Sequence, residues 1–176
     1  MIKLRQPSLA LHSCDVPGYK YKMWQTWTMP KNASVSDVVY WITWAIDHSE
    51  ELYLHNVVIN CHGSPGFLHI GGSWSGFGPG GTGMFTPLRN KGSLGYIWLV
   101  ACEVAQNQKD SNIGTSFCSQ LAIAAGCPVI AADKIQSVDP WFGYISHPFG
   151  SIDDYEGIVY QFSPAGGFDV WNPSSY

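Results

Sequence analysis

The sequence predicts an α/β protein with a mixed, mostly parallel sheet flanked by helices, in a single domain over residues 1–176. Three observations predict it. The short runs "NVVIN", "YIWLV" and "PVIAA" are apolar and rich in β-branched or aromatic residues, as buried strands are. Segments with helical apolar spacing alternate with them. The composition, 45% hydrophobic and 12% charged over 176 residues, is that of a globular domain of ordinary size.

Each element has a local reason. "YKYKMWQTWTM", Tyr19 to Met29, is aromatic and roughly alternating, and reads as an early strand or extended arm closed by Pro30. "NASVSDVVYWITWAIDHSEE" reads as a helix, capped by Ser34 or Ser36, with Val38, Trp41, Ile42 and Ala45 on one face. "HNVVIN" is a buried strand. Ser64 to Gly95 is dense in Gly, Pro and Ser and reads as ordered loops, with a small hairpin at "FLHIGG". "YIWLVACEV" is a second buried strand. "NIGTSFCSQLAIAAG" is a helix with Asn112 or Thr115 near its start and Gly126 past its end. "CPVIAAD" is a third buried strand. "GYISHPFGSIDDYEG" reads as loop and "IVYQFSPAGG" as a strand. Buried strands joined by helices imply a sheet covered on both faces.

Charge and cysteine usage narrow the function classes. Nine Lys and Arg against thirteen Asp and Glu give a net charge of −4 with no basic run, so nucleic acid and anionic membranes are not expected partners. No apolar stretch nears the ~18 residues that span a bilayer. "MIKLRQPSLALHSCDVPGYK" holds no signal-peptide core, so cytoplasmic synthesis with reduced thiols is expected, with export or injection by a signal-independent route left open. The five cysteines, Cys14, Cys61, Cys102, Cys118 and Cys127, are odd in number and irregularly spaced, unlike a disulfide framework. There is no CxxC and no histidine pair at ligand spacing, so neither a metal nor another cofactor is expected.

Two strand ends carry reactive groups. "NVVIN" runs into Cys61, His62 and Gly63, and "YIWLV" into Ala101, Cys102 and Glu103. In open α/β sheets, sites form at the carboxyl ends of strands. If these strands are parallel neighbours, His62 and Cys102 emerge at one edge. An imidazole can take a thiol's proton and later return it to a leaving amine. Gly63 admits close approach of a substrate, and its N–H with that of Cys102 suits an oxyanion. Cys61, preceding His62, points to the opposite face and reads as core, as do Cys118 and Cys127. His69 reads as a turn or surface residue, His147 as loop, and His48 and His55 as solvent-facing. Trp24, Trp27, Trp41 and Trp44 raise a carbohydrate-binding alternative, although the spacing of Trp41 and Trp44 suits core packing. Glu103 has no second acidic residue placed with it.

"VVINCHG" and "IWLVACE", an apolar strand with His-Gly followed by an apolar strand with Ala-Cys, resemble the caspase-like (clan CD) cysteine peptidases. "HGSPGFLHIGG" and "PVIAADKIQSVDP" are similar to segments of bacterial toxin-type members, so the resemblance covers roughly Val57 to Pro140. It implies a caspase-like fold and a cysteine endopeptidase or self-processing domain of an effector or toxin. In it, His62 is the base and acid, Cys102 the nucleophile and Gly63 an oxyanion donor. The substrate would be a peptide or protein, its pocket built from Asp133, Val138, Asp139 and Trp141. An acidic pocket would favour a basic side chain, while Trp141 and Phe142 would favour an apolar one. Toxin-type members are activated by inositol hexakisphosphate on a basic patch. Nine scattered Lys and Arg do not supply such a patch, so that activation is not expected here. The alternatives are a silent caspase-like binding module, and an amidase or acyltransferase using the same dyad.

Overall fold

The three apolar runs become adjacent strands of one seven-stranded sheet. A computed structural model describes residues 1–18, 20–72, 75–136 and 148–172. Its elements are β1 (Ile2–Lys3), β2 (Ser8–Ser13), β3 (Gln25–Met29), α1 (Val35–His48), β4 (Leu54–Asn60), β5 (His62–Ser64) and β6 (Phe67–His69). A 3₁₀ turn (Pro79–Phe85), α2 (Thr86–Lys91), β7 (Leu94–Val100), α3 (Ile113–Ala125) and β8 (Val129–Ala132) follow. β9 (Ser151–Ile152), β10 (Val159–Phe162) and β11 (Phe168–Val170) complete them. The main sheet has the order β11-β10-β8-β7-β4-β2-β3. β3, β2, β4, β7 and β8 are parallel, and β10 and β11 add antiparallel strands at one edge. The protein is therefore α/β with a mixed, mostly parallel sheet.

Connectivity decides which face each segment covers. From β3 through β4 and β7 to β8 the chain steps across the sheet in one direction. Crossovers of one hand running one way lie on one side. Val38, Ile42, Ala45 and Ile46 of α1, Leu88 of α2, and Phe117 and Leu121 of α3 accordingly share a single core with Leu9, Val57, Ile59 and Leu99. Each fully buried Val, Leu, Ile or Phe there contributes about 1.5–3 kcal/mol. Only the β2-to-β3 step runs the other way, and its connection crosses the opposite face. Tyr21 and Met23 pack there with Ala10, Val58, Trp98, Ile130 and the β1–β9 ribbon. Both faces are covered, as expected, but among the described residues the helices all lie on one of them.

β2, fully buried between β3 and β4, is absent from the expectation drawn from sequence. The predicted early strand shortens to Gln25–Met29, because residues 21–23 belong to the crossing segment. Ser34, not Ser36, caps α1. Its Oγ accepts from the Asp37 N–H at 3.3 Å, and the Asp37 carboxylate accepts from the Ser34 N–H at 2.8 Å. α3 ends at Gly126, whose φ of 72° is the left-handed conformation glycine adopts cheaply.

Asn56 ties three central strands together inside the second core. Its Nδ2 donates to Arg5 O at 2.9 Å and Ser8 Oγ at 3.0 Å, and its Oδ1 accepts from Trp98 Nε1 at 2.8 Å. A buried amide satisfied in this way holds the strand register.

Candidate active site

β2 and β4 are neighbours whose onward chains leave to opposite faces. That is the topological switch point of this sheet, the place beyond the strands' carboxyl ends where open α/β sheets form their sites. Cys14 and Asp15 follow β2, and His62 follows β4 beside them.

His62 and Cys102 come to this edge because β4 and β7 are parallel neighbours, with Asn60 beside Val100. The ladder continues one step, Cys61 N–H donating to Val100 O at 3.2 Å. Pleating then sorts the side chains. Asn60 turns to the second core beside His12, and Cys61 is buried in the helical core. Burial pushes the Cys61 thiol up, away from reactivity. Cys118 and Cys127 are buried with thiols pushed up for the same reason, whereas Cys14 is exposed and Cys102 half-buried. The expectation that Cys61, Cys118 and Cys127 are core is met.

The hairpin lies earlier than "FLHIGG". It pairs His62–Ser64 with Phe67–His69, so His62 itself begins it. Pro65 and Gly66 make its two-residue turn, with Gly66 at φ 70°. Ser64 and Phe67 flank the turn, which leaves Gly63 opposite Leu68 as the non-hydrogen-bonded pair. Leu68 spends its own N–H and C=O on Phe77, both at 3.0 Å. The Gly63 main chain is thus turned away from β6.

This hairpin is seated on the turn that carries Cys102. A Cβ on Gly63 would stand 2.5 Å from the Cys102 carbonyl oxygen and 3.0 Å from Ala101 Cβ. Gly66 N–H donates to Val104 O at 3.1 Å, and a Cβ on Gly66 would meet Ile113 at the start of α3. Glu103, immediately after Cys102, has a φ of 55°, rare for a residue with a Cβ. Its N–H donates to Lys134 O at 2.9 Å, and its carbonyl accepts from Gln106 N–H at 2.8 Å, so the strained turn is held from both sides.

The two reactive side chains each face a main-chain carbonyl. His62 Nε2 lies 3.2 Å from Asp15 O, and because a carbonyl only accepts, Nε2 carries the hydrogen. In the neutral ring Nδ1 is then the free base. Cys102 Sγ donates to Gln136 O at 3.7 Å. Among the described residues the imidazole and thiol make no hydrogen bond to one another. His69 sits opposite His62 in the hairpin, with Nε2 3.4 Å from Ser64 Oγ, and is pulled down by burial and by the His62 charge.

Asp133, expected in a substrate pocket, is engaged by the main chain at the entry to β10. Its Oδ1 accepts from Ile158 N–H at 2.9 Å. Val138, Asp139 and Trp141 lie outside the described residues, as does His147. His55 is not solvent-facing: its side chain is 14% exposed, edge-on to Tyr53, and pulled down by burial. His48 is exposed and stacks on Trp44 at 3.8 Å. Trp24, Trp27, Trp41 and Trp44 are half-buried against the helical core, as packing residues are.

Sequence reasoning passed over His12, Asp15, Asn107 and Gln136. His12 is buried at the end of β2. Tyr21 N–H donates to its Nε2 at 3.0 Å, and its Nδ1 lies 3.1 Å from the Asn60 side-chain amide. Burial, with the nearby Lys20 charge, pulls its pKa down to about 4. The signal was present: "LALHSC", like "VVINCH", is an apolar run ending in His and Cys. Asn107 caps α3 in place of Asn112, its Oδ1 accepting from both the N–H and the hydroxyl of Thr115 at 3.0 Å. Asp15 and Gln136 act here through their main-chain carbonyls, which leave no trace in residue type.

Among the described residues no helix is long and apolar enough to cross a membrane, and no group of three or more His, Cys, Asp or Glu is gathered for a metal ion. No family model matches the chain, and no curated protein matches it.

Proposed function

We propose that this chain is a caspase-like cysteine peptidase, hydrolysing a peptide bond with His62 and Cys102. The observation that carries the reading is the seating of the His62-Gly63 hairpin on the main chain of Cys102. An imidazole, a thiol and the main-chain N–H groups of Gly63 and Cys102 lie at the carboxyl edge of adjacent parallel strands. Nucleophilic acyl transfer is a chemistry that uses such a set together.

The chemistry follows from the atoms available. His62 is exposed, and the reading requires its ring to turn about its side-chain bonds until Nδ1 faces the thiol. The Cys102 S–H proton passes to Nδ1, and the thiolate attacks the substrate carbonyl carbon. The Gly63 and Cys102 N–H groups stabilise the oxyanion. Turning the His62 ring takes Nε2–H off Asp15 O, its acceptor in the resting arrangement. The imidazolium returns its proton to the leaving amine, and water then hydrolyses the thioester.

A peptide library digested with the protein and read by mass spectrometry tests this. Cleavage that disappears in Cys102→Ala and in His62→Ala supports the reading, and full cleavage by Cys102→Ala sinks it. A second reading, a silent module of the same fold, is favoured by one observation: thiol and imidazole are each bonded to a carbonyl rather than to each other. It predicts no cleavage of any library member by the unmodified chain.

A further inference from the structure

We propose that Gln136 is a positioning residue that holds the Cys102 thiol turned away from His62, through a clamp on the main chain of Glu156. The inference rests on reading Cys102 as the nucleophile.

Strand order supplies the geometry. Cys102 follows β7, His62 follows β4 on one side of it, and Gln136 follows β8 on the other. A thiol donating to Gln136 O at 3.7 Å is therefore directed to the β8 side, away from the imidazole. That carbonyl is fixed by its own side chain. Gln136 Nε2 donates to Glu156 O at 3.1 Å and to Lys134 O at 2.9 Å, and Gln136 Oε1 accepts from Glu156 N–H at 3.2 Å. One side-chain amide thus pairs with both main-chain groups of Glu156, as a neighbouring strand would. Lys134 O also accepts from Glu103 N–H, so the clamp and the strained turn after Cys102 share an acceptor. Through this side chain the segment before β10 is coupled to the turn that carries the nucleophile. Before the thiol proton can pass to Nδ1 of His62, the S–H must leave the Gln136 carbonyl, and whatever draws residue 156 away from Gln136 releases it.

The test reads the thiol and needs no substrate. In the full chain carrying Cys14→Ser, iodoacetamide labelling of Cys102 at neutral pH is followed by mass spectrometry. Losing the clamp hydrogen bonds in Gln136→Ala is expected to speed labelling about fivefold or more. Asp133→Ala loosens the same segment at Ile158 without touching the clamp, and is expected to change the rate less than about twofold. Gln136→Glu presents a carboxylate without donors to two carbonyls, and is expected to label as fast as Gln136→Ala at neutral pH. In acid the introduced carboxyl regains a donor, and labelling by 4,4′-dithiodipyridine, which also reacts in acid, should return to the parent rate. This rescue keeps the test decisive if Gln136→Ala folds poorly. An unchanged rate in Gln136→Ala and Gln136→Glu, equal acceleration by Asp133→Ala, or no rescue in acid would overturn the proposal. Cleavage that persists in Cys102→Ala would instead defeat the peptidase reading and leave the labelling result standing.

Discussion

Gly63 lies against the main chain of Cys102, so close that a Cβ on the glycine would stand 2.5 Å from the Cys102 carbonyl oxygen and 3.1 Å from its nitrogen. Both are main-chain atoms and cannot swing aside as a side-chain tip can. Gly63→Ala must therefore push the hairpin off the turn that holds Cys102. The expected cost is about 1–3 kcal/mol, as for overpacking elsewhere, read as a lower melting temperature. On the proposed function, cleavage should fall further than stability does, because the oxyanion donors separate.

The strained turn itself gives a second test. Glu103 at φ 55° pays for a left-handed conformation that glycine adopts freely. Glu103→Gly should leave stability within about 1 kcal/mol of the parent or raise it. Glu103→Val, branched at Cβ, should lower it by about 1–3 kcal/mol. Thermal melts of the two variants side by side decide the matter, and equal loss in both would show that the strain is not at this residue.

His12 makes stability depend on pH. Its folded-state pKa of about 4 lies below the unfolded 6.5, so the unfolded chain binds the proton more readily. The stability tied to neutral His12 is present above about pH 6.5 and is lost progressively as pH falls toward 4. The loss is about 3 kcal/mol, as an order of magnitude. Denaturant melts at pH 7 and pH 4 should show a smaller difference in His12→Gln than in the parent, even though His12→Gln starts less stable.

Asn107 caps a helix from outside its own first turn. Asn107→Ala removes the acceptor for the Thr115 N–H and hydroxyl, and should cost about 1 kcal/mol. Asn107→Asp keeps an acceptor and places a negative charge at the helix start, so it should be neutral or slightly stabilising. Chemical denaturation at neutral pH measures both.

Thiol accessibility gives the last expectation. In the native protein Cys14 and Cys102 should react with iodoacetamide well before Cys61, Cys118 and Cys127, whose thiols are buried and pushed up. All five should react in denaturant. Early labelling of Cys61 would mean that the β4 end is open rather than packed in the helical core.

The strands ending at Asn60, Val100 and Ala132, and the helices around Ile42 and Leu121, were legible because their signals are local: a run of apolar residues, a 3.6-residue period, a capping serine, a terminal glycine. The placement of His62 and Cys102 at one edge was legible too, since parallel strands present their carboxyl ends together. The demotion of Cys61 followed from pleating alone. β2 carries a weak local signal, because "SLALHS" is short and holds Ser and His, and burial between β3 and β4 makes it a strand. The hairpin forms earlier than "FLHIGG" because Pro65-Gly66 sets the turn, which recruits His62 rather than Ile70.

The rest needed tertiary structure. That α1, α2 and α3 share one face, and that β2 and β4 form the switch point, depend on strand order, which no single segment encodes. Asp15 and Gln136 reach the His62 and Cys102 side chains through carbonyl oxygens that every residue owns, so those contacts follow from chain path. Sequence by itself determined which residues could do chemistry and at which strand ends they lie, because residue type and periodicity are local properties. Only the tertiary structure decided where the imidazole and the thiol point, because a hydrogen-bond partner is chosen by proximity in space.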